Sequence, residues 1–159
     1  MKILFSILFL LNIQSCMSQE TKKVLEEDNF KIVKTDSEWK QVLSAKQYYV
    51  LRKSGTEQAF SSPLNNNETK GTYLCAACKT PLFKSEHKFD SGTGWPSFDT
   101  EITGNVTYTK EGASNYYGIE EHCATCGGHL GHVFNDGPKN TTGKRHCING
   151  VALDFIPNP

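Results

Sequence analysis

The sequence predicts a mainly β domain entered through two short helices, and three observations predict it. From Gly71 onward, short runs rich in Val, Ile, Thr, Tyr and Phe are separated by Gly, Asn, Asp and Pro, the punctuation of strands and turns. Before that point, Thr35 and Ser44 each stand three residues ahead of a Glu or Gln, which marks a helix start. Two C-x-x-C pairs bracket much of the strand-rich stretch. At 159 residues the chain is long enough for one core and too short for two, so one globular domain over 29–159 is expected. Lys plus Arg number 17 against 17 Asp plus Glu, with no long basic run, so the electrostatic footprint of a nucleic-acid binder is missing.

The chain opens with Met1-Lys2 and the apolar run from Ile3 to Ile13, the layout of a secretory signal. The run is too short to span a bilayer as a helix, which takes about 20 residues. Ile13-Gln14-Ser15-Cys16 resembles a bacterial lipobox, although Gln14 stands where a small or apolar residue is usual. The expectation is a lipoprotein-type signal peptide over 1–15, lipidation at Cys16 and a polar tether over 16–28. The protein would then be exported and membrane-anchored, facing the periplasm or the cell surface. A plain signal peptide with a free Cys16 is the alternative.

Thr35 with Glu38 forms a capping box, and Trp39, Val42 and Leu43 make one apolar stripe behind it. Ser44 with Gln47 repeats the cue, Tyr48 and Leu51 lie three apart, and Gly55 offers a C-terminal stop. Residues 48–51 would also suit a strand. Strands are expected over 71–74, 106–109, 116–122, 132–134, 144–149 and 151–155, with a turn at Asn135-Asp136-Gly137-Pro138.

Cys75-Ala-Ala-Cys78 and Cys123-Ala-Thr-Cys126 have the local spacing of zinc knuckles, each turning two sulfurs toward one ion. Four thiolates leave no open position, so the zinc would be structural. An exported protein could instead pair these cysteines as disulfides, and a C-x-x-C can be a redox pair, but neither motif lies in a βαβ pattern.

Cys147 lies in Arg145-His146-Cys147-Ile148-Asn149. A free cysteine on a strand is often a small buried hydrophobe. Here residues two before and two after project to the same face, placing Arg145, Cys147 and Asn149 in one row. A guanidinium nearby would stabilise the thiolate and lower its pKa, as a nucleophile requires. His129, His132 and Asp136 are the remaining polar candidates. With four sulfurs already on the zinc, proton donation or substrate orientation suits the two histidines better than metal binding.

Gly92-Thr93-Gly94-Trp95-Pro96-Ser97-Phe98, His129-Leu-Gly-His132-Val-Phe134, Arg145-His146-Cys147-Ile148-Asn149 and both C-x-x-C units together resemble the B-type methionine sulfoxide reductases in order and spacing. The resemblance begins near Trp39, includes Gly55-Thr56-Glu57 and runs to about Phe155. It implies two antiparallel sheets with the site on one face and the zinc at a distance. It implies reduction of the R epimer of methionine sulfoxide in peptides and proteins, as repair of oxidative damage, with Cys147 passing through a sulfenic acid. By position, Trp95 would receive the substrate's methyl group, His129 and His132 would orient the sulfoxide and help protonate its oxygen, and Asn149 would hydrogen-bond near that oxygen. Arg145 and Asp136 would support the site electrostatically. The chemistry asks for the same parts, since a sulfoxide has an apolar methyl, a tetrahedral sulfur and a basic oxygen. Phe134 is a second candidate for substrate binding, although alone it would read as an ordinary core aromatic.

Thr93 departs from the pattern, because many members carry there a second cysteine that resolves the sulfenic acid. With four cysteines on zinc, Cys16 lipidated and Cys147 the nucleophile, none is left, so an external thioredoxin-like reductant is expected. Two rival classes remain. A non-catalytic zinc-stabilised module would leave the row around Cys147 without a purpose, and a thiol–disulfide oxidoreductase would depend on a C-x-x-C rather than on Cys147.

Overall fold

The computed structural model describes residues 30–109 and 118–159, so the expected signal, Cys16 and the tether lie outside the described residues. Helix α1 (Asp36–Val42) begins at Thr35, whose hydroxyl accepts from the Glu38 N–H while the Glu38 carboxylate accepts from the Thr35 N–H. Helix α2 (Ala45–Lys53) repeats the device with Ser44 and Gln47. Each box satisfies donors that the first turn leaves without partners, and residues 48–51 are thereby helix and not strand. Two details differ from expectation. The buried stripe of α1 is the i, i+4 pair Trp39 and Leu43, with Val42 turned to solvent at 58% exposure. The left-handed residue that ends α2 is Ser54, at φ 50°, one position before Gly55.

The β domain holds two antiparallel sheets. Strands β1 (Gly71–Cys75), β2 (Pro81–Lys84) and the last strand, β9 (Leu153–Pro157), form a three-stranded sheet in the order β2-β1-β9. Strands β3 (Lys88–Phe89), β4 (Ser97–Phe98), β5 (Val106–Tyr108), β6 (Ile119–Cys123), β7 (His129–Phe134) and β8 (Arg145–Ile148) form a six-stranded sheet in the order β3-β4-β8-β7-β6-β5. Strands β2, β3 and β4 were not expected. The first opens on a proline, tolerated because β2 is an edge strand, and the other two are two residues long, below the length at which alternation can show. The final strand starts at Leu153 rather than at 151, because the Gly150 and Val151 N–H groups donate to the Glu57 carboxylate and a 3-10 turn (Gly150–Ala152) forms instead.

Aromatic side chains hold the sheets face to face. Phe83 of β2 stacks on Phe98 of β4 at 4.4 Å between ring centroids, and Tyr73 of β1 meets Phe98 edge-on at 4.9 Å. All three are fully buried, and each such pair adds roughly 0.5–1.5 kcal/mol beyond the area it removes from water. The helices close the core through Trp39, Val50 and Leu51. Arg52 of α2 lies over the Trp39 ring and donates to the Cys126 carbonyl at 3.0 Å, tying the helical layer to the second cysteine knuckle. Replacing Trp39 by Ala is expected to cost about 3–5 kcal/mol of unfolding free energy, read as a lowered guanidinium midpoint. An unchanged midpoint would show that the helical layer is not part of the cooperative core.

Candidate functional site

Each cysteine pair comes from a different sheet. Cys75 ends β1 and Cys123 ends β6, and each strand runs into its own turn of the same form. The Lys79 N–H donates to the Cys75 carbonyl and the Gly127 N–H to the Cys123 carbonyl, each at 2.8 Å. Lys79 and Gly127, the residues following each second cysteine, both have left-handed backbones, with φ 62° and 68°. The turns face each other. Cys75 Sγ lies 3.8 Å from Cys126 Sγ, Cys78 Sγ lies 3.5 Å from Cys123 Sγ, and all four fall within 4.8 Å of one another. Four sulfurs held tetrahedrally at about 2.3 Å from a zinc ion stand roughly 3.8 Å apart, so the spacing fits zinc, and it is far beyond the about 2.05 Å of a disulfide bond. This is a closed structural zinc site.

The second centre is a pocket of about 160 Å³ between β7, β8 and the segments at Thr56 and Trp95. Cys147 on β8 is paired with Ser97 of β4 on one side and His132 of β7 on the other. Cys147, His132, Trp95, Phe134 and Asn149 all line the pocket, together with Thr56 and Gly131. Phe134 is therefore a wall of the pocket and only partly buried, which corrects its reading as a core aromatic. The Trp95 indole N–H donates to the Glu57 carbonyl at 3.2 Å, which sets the ring's orientation. Asn149 is held at both ends of its amide: Nδ2 donates to the Leu130 carbonyl and Oδ1 accepts from the Glu57 N–H. Gly131 is required by close approach, since a Cβ there would lie 2.0 Å from the Cys147 carbonyl oxygen.

Three expected residues stand behind this pocket rather than in it. The Arg145 guanidinium is turned to Asp136, making two bonds of 2.8 Å, and lies 4.3 Å over the Phe134 ring. Asp136 is largely exposed and reaches the centre only through Arg145, whose hydrogen bonds, and then its charge, hold the carboxyl below the usual range. His129 is 2% exposed, with Nδ1 2.7 Å from Glu120 Oε1 and its ring edge-on to His132 at 5.5 Å.

Burial decides the electrostatics. It pushes the Cys147 thiol above the ordinary cysteine range, with Thr93 and Arg145 opposing it and Glu121 adding to it. The guanidinium thus acts in the expected direction and is outweighed. Burial likewise lowers His132, and chiefly through burial His129 falls to about 4, so both imidazoles are neutral at neutral pH.

Sequence reasoning missed two supports. Glu57 accepts from two N–H groups just beyond Asn149, holding the turn that follows the cysteine. The Thr93 hydroxyl, 3.8 Å from Cys147 Sγ, is tied through Ser91 to Ser97 by contacts of 2.8 and 2.7 Å. Neither a lone glutamate nor a serine-rich turn carries a signal of its own.

Residues 43–157 match the SelR domain. The chain is 53% identical over 125 residues to a peptide methionine sulfoxide reductase of Methanosarcina barkeri, covering 78% of this chain and 87% of the relative. It is 48% identical over 128 residues to one of Leptospira interrogans, covering 80% and 97% respectively. It is also 43% identical over 133 residues to the mitochondrial methionine-R-sulfoxide reductase B3 of Mus musculus, covering 83% of this chain and 52% of the relative.

The burial of Cys147 gives a pH prediction. Its alkylation rate, followed by mass spectrometry at that residue, should rise with pH and reach half its maximum above the midpoint of an ordinary cysteine. Arg145→Ala removes a group that favours the thiolate and should move the midpoint further up. A downward or absent shift in Arg145→Ala would show that the guanidinium does not act on the sulfur.

Proposed function

This chain belongs to the SelR-domain family, and on that footing we propose that it is a methionine-R-sulfoxide reductase. It reduces the R epimer of methionine sulfoxide in peptides and proteins to methionine, a repair of oxidative damage. The observation that carries the reading is a lone cysteine sulfur in a small pocket that combines two aromatic walls with neutral His132 and a doubly held Asn149.

Trp95 and Phe134 take the methyl end of the substrate, and Asn149 faces the sulfoxide oxygen. The Cys147 thiol enters the reaction protonated and gives its proton to the neutral imidazole of His132, its partner across the strands. The thiolate attacks the sulfoxide sulfur and the S=O bond breaks. The oxygen, protonated by the imidazolium so formed, ends on Cys147 as a sulfenic acid while methionine departs. The methionine sulfur is reduced by two electrons, the cysteine sulfur is oxidised by two, and no net proton is consumed. His129 holds His132 in place from behind. The Arg145 guanidinium, held in place by Asp136, sets its positive charge beside the thiolate as it forms.

The sulfenic acid is then reduced by an external dithiol protein of the thioredoxin class, which yields water, its own disulfide and the free thiol. Support for an outside donor comes from Thr93, which occupies the position beside Cys147 Sγ, and from the four other domain cysteines being committed to zinc. Upstream, the charged start, the apolar run and Ser15-Cys16 support export with lipid attachment at Cys16, leaving the domain membrane-anchored outside the cytoplasm.

Two measurements check these readings. Turnover with dithiothreitol on separated epimers should consume the R form alone, and Cys147→Ser should lower the rate by roughly a thousandfold or more with zinc and fold retained. Consumption of the S epimer, or retained activity in Cys147→Ser, would overturn the assignment. A mature N-terminus carrying acyl mass on Cys16 is expected by mass spectrometry, and an unprocessed Met1 or a free Cys16 thiol would refute the anchor.

A further inference from the structure

The geometry points to a second metal site, distinct from the four cysteines, in which Glu120, His122 and His129 bind a divalent first-row transition ion such as Zn²⁺, Co²⁺ or Ni²⁺. Glu120 and His122 lie two apart on β6, and the β6–β7 pairing sets His122 opposite His129. A bulge between Glu121 and His122 brings the three side chains together, with one donor atom from each within 4.8 Å of the others.

The donor atoms are occupied only with one another: Glu120 Oε1 is 2.7 Å from His129 Nδ1 and 3.5 Å from His122 Nε2, and none of the three has a further hydrogen-bond partner among the described residues. His129 is 2% exposed, so a nitrogen left in that state bears most of the cost of an unmet polar group. Ligand atoms around an ion at about 2.0–2.1 Å in tetrahedral array stand roughly 3.3 Å apart, a value between the 2.7 and 3.5 Å that separate Glu120 Oε1 from the two imidazoles. The tautomer of His122 is suited to binding. Its Nδ1 lies 3.3 Å from the Gly127 carbonyl, which can only accept, so Nδ1 carries the proton and Nε2 offers its lone pair to the cluster. A backbone carbonyl on the far nitrogen is the usual second partner of a metal-binding imidazole. Two imidazoles and one carboxylate suit intermediate divalent ions and leave coordination positions open. An ion held there would lie one imidazole away from the Cys147 pocket, since the His129 ring abuts His132.

The test is a cobalt titration of the full chain with its cysteine-bound zinc in place. One further equivalent of Co²⁺ is expected, with d–d absorption and without the sulfur-to-cobalt charge-transfer band that displacement at the cysteines would produce. Glu120→Gln and His122→Ala should each weaken that binding at least tenfold, with one zinc per chain retained. Because His122 adjoins Cys123, a His122→Ala protein that loses zinc is set aside, and Glu120→Gln alone then decides. Absence of a second equivalent, a charge-transfer band, or unchanged affinity in a zinc-retaining variant would overturn the site.

Discussion

The zinc between β1 and β6 is the constraint on which the remaining geometry depends. It is a single point at which the three-stranded and six-stranded sheets are joined by short, strong bonds, while elsewhere they meet through aromatic packing. The second knuckle is also the hairpin turn from β6 into β7, closed by the Cys123 N–H donating to the Gly128 carbonyl at 2.9 Å. Fixing that turn fixes the start of β7, hence its register against β8, and so places His132 directly opposite Cys147. A one-residue slip would turn the pocket face into the core face. The metal takes no part in the chemistry and still determines where the chemistry can occur.

At the centre itself two tendencies oppose each other. A recessed pocket with aromatic walls suits a methyl group, but the same burial disfavours a thiolate. The Arg145 guanidinium and the Thr93 hydroxyl recover part of that loss. Asp136 takes Nε and one Nη of the guanidinium and holds it over Phe134, where its charge and a hydrogen bond still favour the Cys147 thiolate. The balance still lies on the side of the thiol.

The parts legible in the sequence were those written in local chemistry. Both capping boxes and the paired knuckles depend on residues within a few positions of one another, and the structure places them as read; of the row around the cysteine, Asn149 lines the pocket with Cys147 while Arg145 stands behind it. Illegible were features created by approach from afar. The 3-10 turn at Gly150 exists because Glu57, remote in sequence, takes its N–H groups. Strands β3 and β4 are two residues long and are strands only because β8 lies alongside. The fully buried Glu121–His146 pair has no local signature either: Nδ1 of His146, beside the nucleophile on β8, meets Oε1 of Glu121 on β6 across the intervening β7. The thiol's upward shift was missed for the same reason, since neighbours in sequence show charge but not burial.

The position of β8 between β4 and β7 has a consequence for the order of events during synthesis. Every other strand of the six-stranded sheet leaves the ribosome earlier, but β4 and β7 have no partner for their facing edges until residues 145–148 arrive. The edge of β1 likewise waits for β9, the last strand made. The reactive sulfur is therefore delivered by the segment that closes the six-stranded sheet, so a chain that stops short of β8 carries no assembled pocket. Long-range closure of this kind slows folding, and here it also ensures that the nucleophile enters its cavity only as the six-stranded sheet is closed.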